Sequence, residues 1–244
     1  MKKSSPFTLY TTDKMNKESA LHVSESKPEW PVFPAAMRAV AQVLSYILHP
    51  LFIPTLVTFF IVQALPEYFV TFKQYSVRFP YDKLYFRVIS ISLFFPLLTV
   101  LLSRALHFVD SFYLRSQRDR IIPYIASIIY YFWAFYTFVR EGVAPSFFNA
   151  FFLGIFLAVI AAFICNIFVK ISMHTLGWGG VIGFLLAIMV GMDINVTIPL
   201  VITFFIAGLV ATARLVLAAH SPAEIYAGFF VGILAQFIAY SILG

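Results

Sequence analysis

Residues Ile198–Leu243 read IPLVITFFIAGLVATARLVLAAHSPAEIYAGFFVGILAQFIAYSIL. Two apolar runs, Ile198 to Ala213 and Ile225 to Leu243, flank a junction that carries Arg214, His220 and Glu224. Each run is close to the roughly 20 residues that cross a hydrocarbon core as a helix, so the stretch reads as two membrane spans and their connection. Ionisable side chains at membrane depth cost several kcal/mol each, and those that persist pair with one another or line a functional cavity. The runs decide the fold, and the junction is the first place to look for chemistry.

Composition agrees along the whole chain. The 244 residues are 61% hydrophobic and 11% charged, with a mean hydropathy of +0.89, whereas soluble domains average about a quarter charged. This is the composition of an integral membrane protein with no sizeable soluble domain. The net charge of +6 gathers beside apolar runs, where orientation and anionic headgroups account for it better than nucleic acid does. The single cysteine, Cys165, lies inside an apolar run. That excludes an intramolecular disulfide and reads as packing.

The polar segment before the first span mixes lysines with acidic residues and shows no helical stripe, so residues 1–36 read as a flexible tail. No apolar region follows Lys2 and Lys3 at the distance a signal peptide requires. Spans are expected at Met37 to Leu65, Val88 to Leu106, Ile121 to Val139, Phe147 to Val169, Leu176 to Met192, Ile198 to Ala213 and Ile225 to Leu243. The fold expected is an all-α polytopic bundle of six or seven transmembrane helices, with residues 37–106 accessory and 107–244 the functional core. The first run is too long for one upright helix and contains Pro50 and Pro54, which predict a kink or an interfacial helix followed by a short span. His49 within it reads as a packed, hydrogen-bonded residue.

Successive spans alternate sides, which puts three polar clusters on one face. They are SFYLRSQRDRIIPY with Arg115, Arg118 and Arg120, KISMH with Ser172 and His174, and the junction of Arg214, His220 and Glu224. Several guanidinium groups, a hydroxyl and helix N-termini suit a multiply charged anion, and Arg matches phosphate oxygens bidentately. With two imidazoles added, one can attack phosphorus while the other protonates the leaving oxygen and later activates water. The arginines supply the charge stabilisation, so this division of labour needs no metal and no cofactor.

Over about residues 115 to 232 the pattern resembles the type 2 phosphatidic acid phosphatase superfamily, shared with vanadium haloperoxidases. Its motifs are Lys-x6-Arg-Pro, Pro-Ser-Gly-His and Ser-Arg-x5-His-x3-Asp. Arg214 and His220 keep the third spacing, with Ala213 in the Ser position and Glu224 in the Asp position. Ser172 and His174 keep the second, with Ile171 and Met173 replacing Pro and Gly. In the first, counting back from Pro123 puts Arg115 in the Lys position and Ile122 in the Arg position, so Arg118 or Arg120 would serve from the preceding turn.

The resemblance implies a lipid phosphatase with His220 as nucleophile, His174 as general acid and base, and Glu224 orienting His220. Arg115, Arg118, Arg120, Ser172 and Arg214 would hold the phosphate. It implies a lipid phosphate or pyrophosphate as substrate, of the phosphatidate, phosphatidylglycerol phosphate or polyprenyl pyrophosphate class. The alternatives are a lipid phosphotransferase and a non-catalytic lipid-phosphate-binding protein or transporter.

Other readings of the same residues stand beside these. Ser221-Pro222-Ala223-Glu224 is also a capping box that would make Glu224 the start of the last helix. Gly179 with Gly183, and Gly228 with Gly232, have the small-xxx-small spacing of close helix packing, within the chain or in a homodimer. Charge bias reads the site face as cytoplasmic. The resemblance implies the periplasmic face of a bacterial inner membrane, and that face is preferred.

Overall fold

The computed structural model describes residues 33–72, 81–109 and 116–244. Most of the expected tail, residues 1–32, and the candidate Arg115 lie outside the described residues. Among those described, every regular element is helical, and seven helical segments are long and apolar enough to cross a membrane. The protein is an all-α, multi-pass membrane helix bundle.

The first span is broken, as its prolines predict. Helix α1 (Ala35–Ile47) stops before a 3-10 turn at Pro50–Phe52, and α2 (Ile53–Ala64) continues. The break falls at His49, whose extended backbone (ψ 138°) is what a following proline imposes. The second span is interrupted too. Helices α3 (Asp82–Ile89) and α4 (Phe95–Ala105) are joined by a wide π-type turn at Ser90–Phe94. Pro96 has no N–H to offer the carbonyl of Ser92, and the chain opens there instead of closing a regular turn.

Five longer helices follow: α5 (Ile121–Glu141), α6 (Ser146–Phe168), α7 (Met173–Gly191), α8 (Thr197–Val216) and α9 (Pro222–Leu243). Helix α5 is preceded by a 3-10 turn at Arg118–Arg120 and ends at Gly142 in the left-handed region (φ +57°). Helix α7 sits at the centre, with 67% of its most apolar window buried. It packs against α9 and α8, while α6 packs on α5 and α9, and α1 lies along α8.

Lipid tails are as apolar as leucine, so association of these helices rests on close packing and interhelical hydrogen bonds. The glycines supply the first. A Cβ at Gly179 would lie 2.6 Å from the Phe229 carbonyl oxygen, and one at Gly183 2.7 Å from that of Ile233. On the facing helix, a Cβ at Gly228 would lie 2.8 Å from the Ser172 carbonyl oxygen, and one at Gly232 2.7 Å from the Gly180 nitrogen. All four glycines therefore serve the α7–α9 contact within one chain. Away from the polar clusters the core is aromatic, with Phe69, Phe138, Phe147, Phe148, Phe152 and Phe184 buried. Several of these rings meet edge to face, as Phe138 and Phe152 do at 4.9 Å.

Candidate functional site

The starts of α7 and α9 form the heart of the site, and both are fixed by capping. Ser221 closes the first turn of α9 by accepting the Glu224 N–H (3.3 Å), with Pro222 in the first turn, where no N–H is needed. Ser172 accepts the Thr175 N–H (3.4 Å) at the start of α7. The two helix starts are joined directly, because the Ser172 N–H donates to the Glu224 carbonyl in the first turn of α9 at 3.2 Å.

His220, one residue before the α9 cap, is buried, with 6% of its surface exposed. Its Nδ1 lies 2.6 Å from Glu224 Oε2. A carboxylate only accepts, so Nδ1 carries the proton and Nε2 keeps its lone pair. The two sequence readings of Glu224 are compatible: its backbone N–H is capped by Ser221 while its carboxylate holds His220. Burial pushes the His220 pKa down to about 4, the Glu224 hydrogen bond opposes this, and the Arg214 charge adds to the depression. At neutral pH the ring is therefore an uncharged imidazole with a free nucleophilic nitrogen.

His174 stands in the first turn of α7. Its Nε2 donates to the Ser45 carbonyl at 3.0 Å, one of the backbone oxygens left free where α1 ends. Trp178, one turn further along α7, donates to the Leu48 carbonyl at 3.1 Å. Arg214, near the end of α8, reaches the Ser45 hydroxyl through Nη1 at 3.4 Å, while its buried Nε has no acceptor among the described residues. A buried guanidinium N–H left this way costs about 1–3 kcal/mol and asks for an anionic acceptor.

These side chains line one cavity of about 470 Å3, which His174, Arg214, His220 and Arg120 share with Ser45 and His49. Arg120 comes from the turn before α5 and lies against Tyr124. That turn is held to the bundle by Asn166, whose side-chain amide donates to the Gln117 carbonyl at 3.0 Å. Two other expected phosphate ligands are placed differently. Arg118 is exposed and does not line the cavity, because the turn directs successive side chains to different sides. Ser172 is fully buried as the α7 cap, outside the cavity wall.

The motifs also left out two residues. His49 lines the cavity, its ring edge-on to His174 at 5.1 Å between centroids, and Ser45 contacts both His174 and Arg214. The signal for them was the proline pair at 50 and 54, which ends a helix and leaves carbonyls to be satisfied. Among the described residues, no group of three or more His, Cys, Asp or Glu is placed to hold a metal ion.

Chemically, the site combines a neutral imidazole oriented by a carboxylate, a second imidazole, and two guanidinium groups, gathered at the ends of four helices. Such a set can bind a phosphate and attack it in line. Compared with known proteins, the chain matches no family model, and it has no significant match to a curated protein or to a solved structure.

Proposed function

We propose that this protein is a membrane phosphatase that hydrolyses a lipid phosphate or pyrophosphate through a phosphohistidine on His220. The observation that carries the reading is His220, buried on a cavity shared with His174, Arg120 and Arg214 and held 2.6 Å from Glu224. The three-motif resemblance to type 2 phosphatidic acid phosphatases supports it.

In this mechanism the His220 Nε2 lone pair forms a bond to phosphorus as the bond to the leaving oxygen breaks on the opposite side. The positive charge that develops on the ring is met by Glu224 through the Nδ1–H. Arg120 and Arg214 hold the equatorial oxygens, where charge is greatest. His174 protonates the leaving oxygen. In the second step it takes a proton from water, whose oxygen attacks phosphorus and returns neutral His220 and inorganic phosphate. To give up a proton without becoming an imidazolate, His174 must enter the first step as the imidazolium, delivering the proton from Nδ1, or from Nε2 where the substrate competes with the Ser45 carbonyl for that N–H.

That competing bond favours one alternative, a lipid-phosphate-binding protein without turnover. Phosphate release from lipid phosphates, with EDTA present, separates the two. The phosphatase reading expects release that vanadate inhibits and that His220→Asn abolishes. Unchanged release by His220→Asn overturns the nucleophile, and stabilisation by phosphate without any release favours the binding protein. We place the site on the periplasmic face of a bacterial inner membrane. A cysteine replacing the exposed Ser116 is expected to react with an impermeant maleimide in cells whose outer membrane has been permeabilised, and protection there would put the site in the cytoplasm.

A further inference from the structure

The cavity does not end at the proposed phosphate site. It runs down between α4, α5, α6 and α7 to Gln236 of α9, whose side-chain amide donates to the Phe151 carbonyl at 3.2 Å and closes the floor. From Pro222 to Gln236 is about 21 Å along α9. A hydrocarbon core is about 30 Å thick, so with Pro222 at its boundary an arm of this length would reach beyond the midplane. Below the histidines its walls are mainly apolar, formed by Val100, Ile155, Val159 and Leu176, with Ser127 and Tyr131 the polar residues contributed by α5.

One glycine separates this arm from ordinary helix packing. A Cβ at Gly179 or Gly183 would strike the backbone of α9, but one at Gly180 would meet only Gln236 Nε2, at 3.8 Å. Gly180 lines the cavity. The side chain it lacks is not needed for the close approach of α7 and α9, and its absence widens the arm about one and a half turns below His174. Leu97 also lines the cavity while 51% of its surface is exposed, which marks α4 as the side from which the arm communicates with the bilayer.

We infer that the membrane-embedded arm takes one hydrocarbon chain of the phosphate-bearing substrate, with Gly180 setting the width of its upper part. The inference rests on the phosphatase reading for the position of the headgroup. A volume of about 470 Å3 suits a single small ligand, as pockets of about 300–1,000 Å3 do. A second chain, where the lipid has one, stays in the bilayer. The arm has no use for a sugar phosphate or for free phosphate, and its polar end has no use for a lipid without an anionic head.

The test compares hexadecyl phosphate with ethyl phosphate, using protein in phosphatidylcholine nanodiscs. Partitioning into the bilayer raises the apparent preference for the long ester in every variant, so the change on substitution is what decides. In Gly180→Leu the ratio of kcat/KM values, long over short, is expected to fall by about tenfold or more. Gly180→Ala, whose Cβ fits, is expected to keep the wild-type Tm and fall between. A ratio unchanged in both variants overturns the inference.

Melting of the same proteins in a His220→Asn background reads binding without turnover. Hexadecyl phosphate is expected to raise Tm, ethyl phosphate not to, and Gly180→Leu to lose the difference. If neither ester is hydrolysed but that pattern holds, the phosphatase reading falls and the chain-binding arm stands. If both esters are hydrolysed and Gly180→Leu alters neither ratio nor melting, the phosphatase reading stands and the arm falls.

Discussion

The Ser172 N–H donates to the Glu224 carbonyl oxygen across 3.2 Å, tying the start of α7 to the first turn of α9. His174 lies two residues after one partner and His220 four before the other, so this backbone bond sets the two imidazoles on one cavity. The glycine contacts below it hold the two helices together.

Those contacts predict a sharp positional effect on stability. Gly183→Val puts a branched side chain where even a Cβ lies 2.7 Å from the Ile233 carbonyl, and overpacking of this kind costs about 1–3 kcal/mol. Its Tm in detergent is expected to drop by several degrees. Gly208→Ala, with nothing within 4 Å of the added carbon, is expected to match wild type. Equal melting of the two variants would deny the close α7–α9 contact.

Glu224→Gln keeps the size of the side chain but removes its charge and the fixed tautomer of His220. Turnover is expected to fall by about 10²–10⁴-fold, as when the carboxylate of a catalytic His–Asp pair is replaced by its amide. KM should change little, because Glu224 touches His220 rather than the phosphate. A rise in KM with kcat unchanged would instead assign Glu224 to substrate binding.

The arginines are expected to separate. Arg214→Lys and Arg120→Ala should each weaken vanadate inhibition by about 10- to 100-fold, the loss of one charged hydrogen bond of about 1.5–3 kcal/mol. Lysine does not rescue Arg214, since it lacks the planar fork. Arg118→Ala, exposed and away from the cavity, should leave the inhibition constant within about twofold, as for most surface changes. A large effect of Arg118→Ala would require the turn before α5 to rotate on binding.

Burial of His220 has a signed pH consequence. Its folded pKa of about 4 lies below the model-peptide value of 6.5, so between these values the unfolded chain binds the proton and the folded one does not. The contribution of His220 to stability is therefore fully present above pH 6.5 and is lost as pH falls towards 4. Melting of wild type is expected to decline over this window more steeply than that of His220→Asn. His220 takes up its proton only near pH 4, so an acid limb of turnover attributable to it is expected there. Parallel melting curves for the two proteins would contradict the neutral, buried imidazole.

Much of the fold was legible because span length and apolar content are imposed by the bilayer, and because a proline cannot continue a helix that needs its N–H. The break at His49 and the seven spans follow from those two facts. The His220–Glu224 contact was legible from a spacing of four residues that spans a helix cap. Ser45 and His49 were not, because their partners lie on distant helices: His174 is 129 residues from Ser45. The phase of a three-residue turn, which turns Arg120 inward and Arg118 outward, is set by tertiary packing such as the Asn166–Gln117 bond. Ser172 was read in sequence as a phosphate ligand, and in the structure its hydroxyl accepts the Thr175 N–H as the cap of α7.

The central claim is covalent chemistry at His220, and the direct measurement is to trap it. Protein mixed with a phosphorus-labelled lipid phosphate is quenched in alkali, where phosphohistidine survives, then digested and sequenced by mass spectrometry. Label is expected on His220 and is expected to be lost in His220→Asn. Phosphate release with no labelled histidine, or with label on another residue, would contradict it.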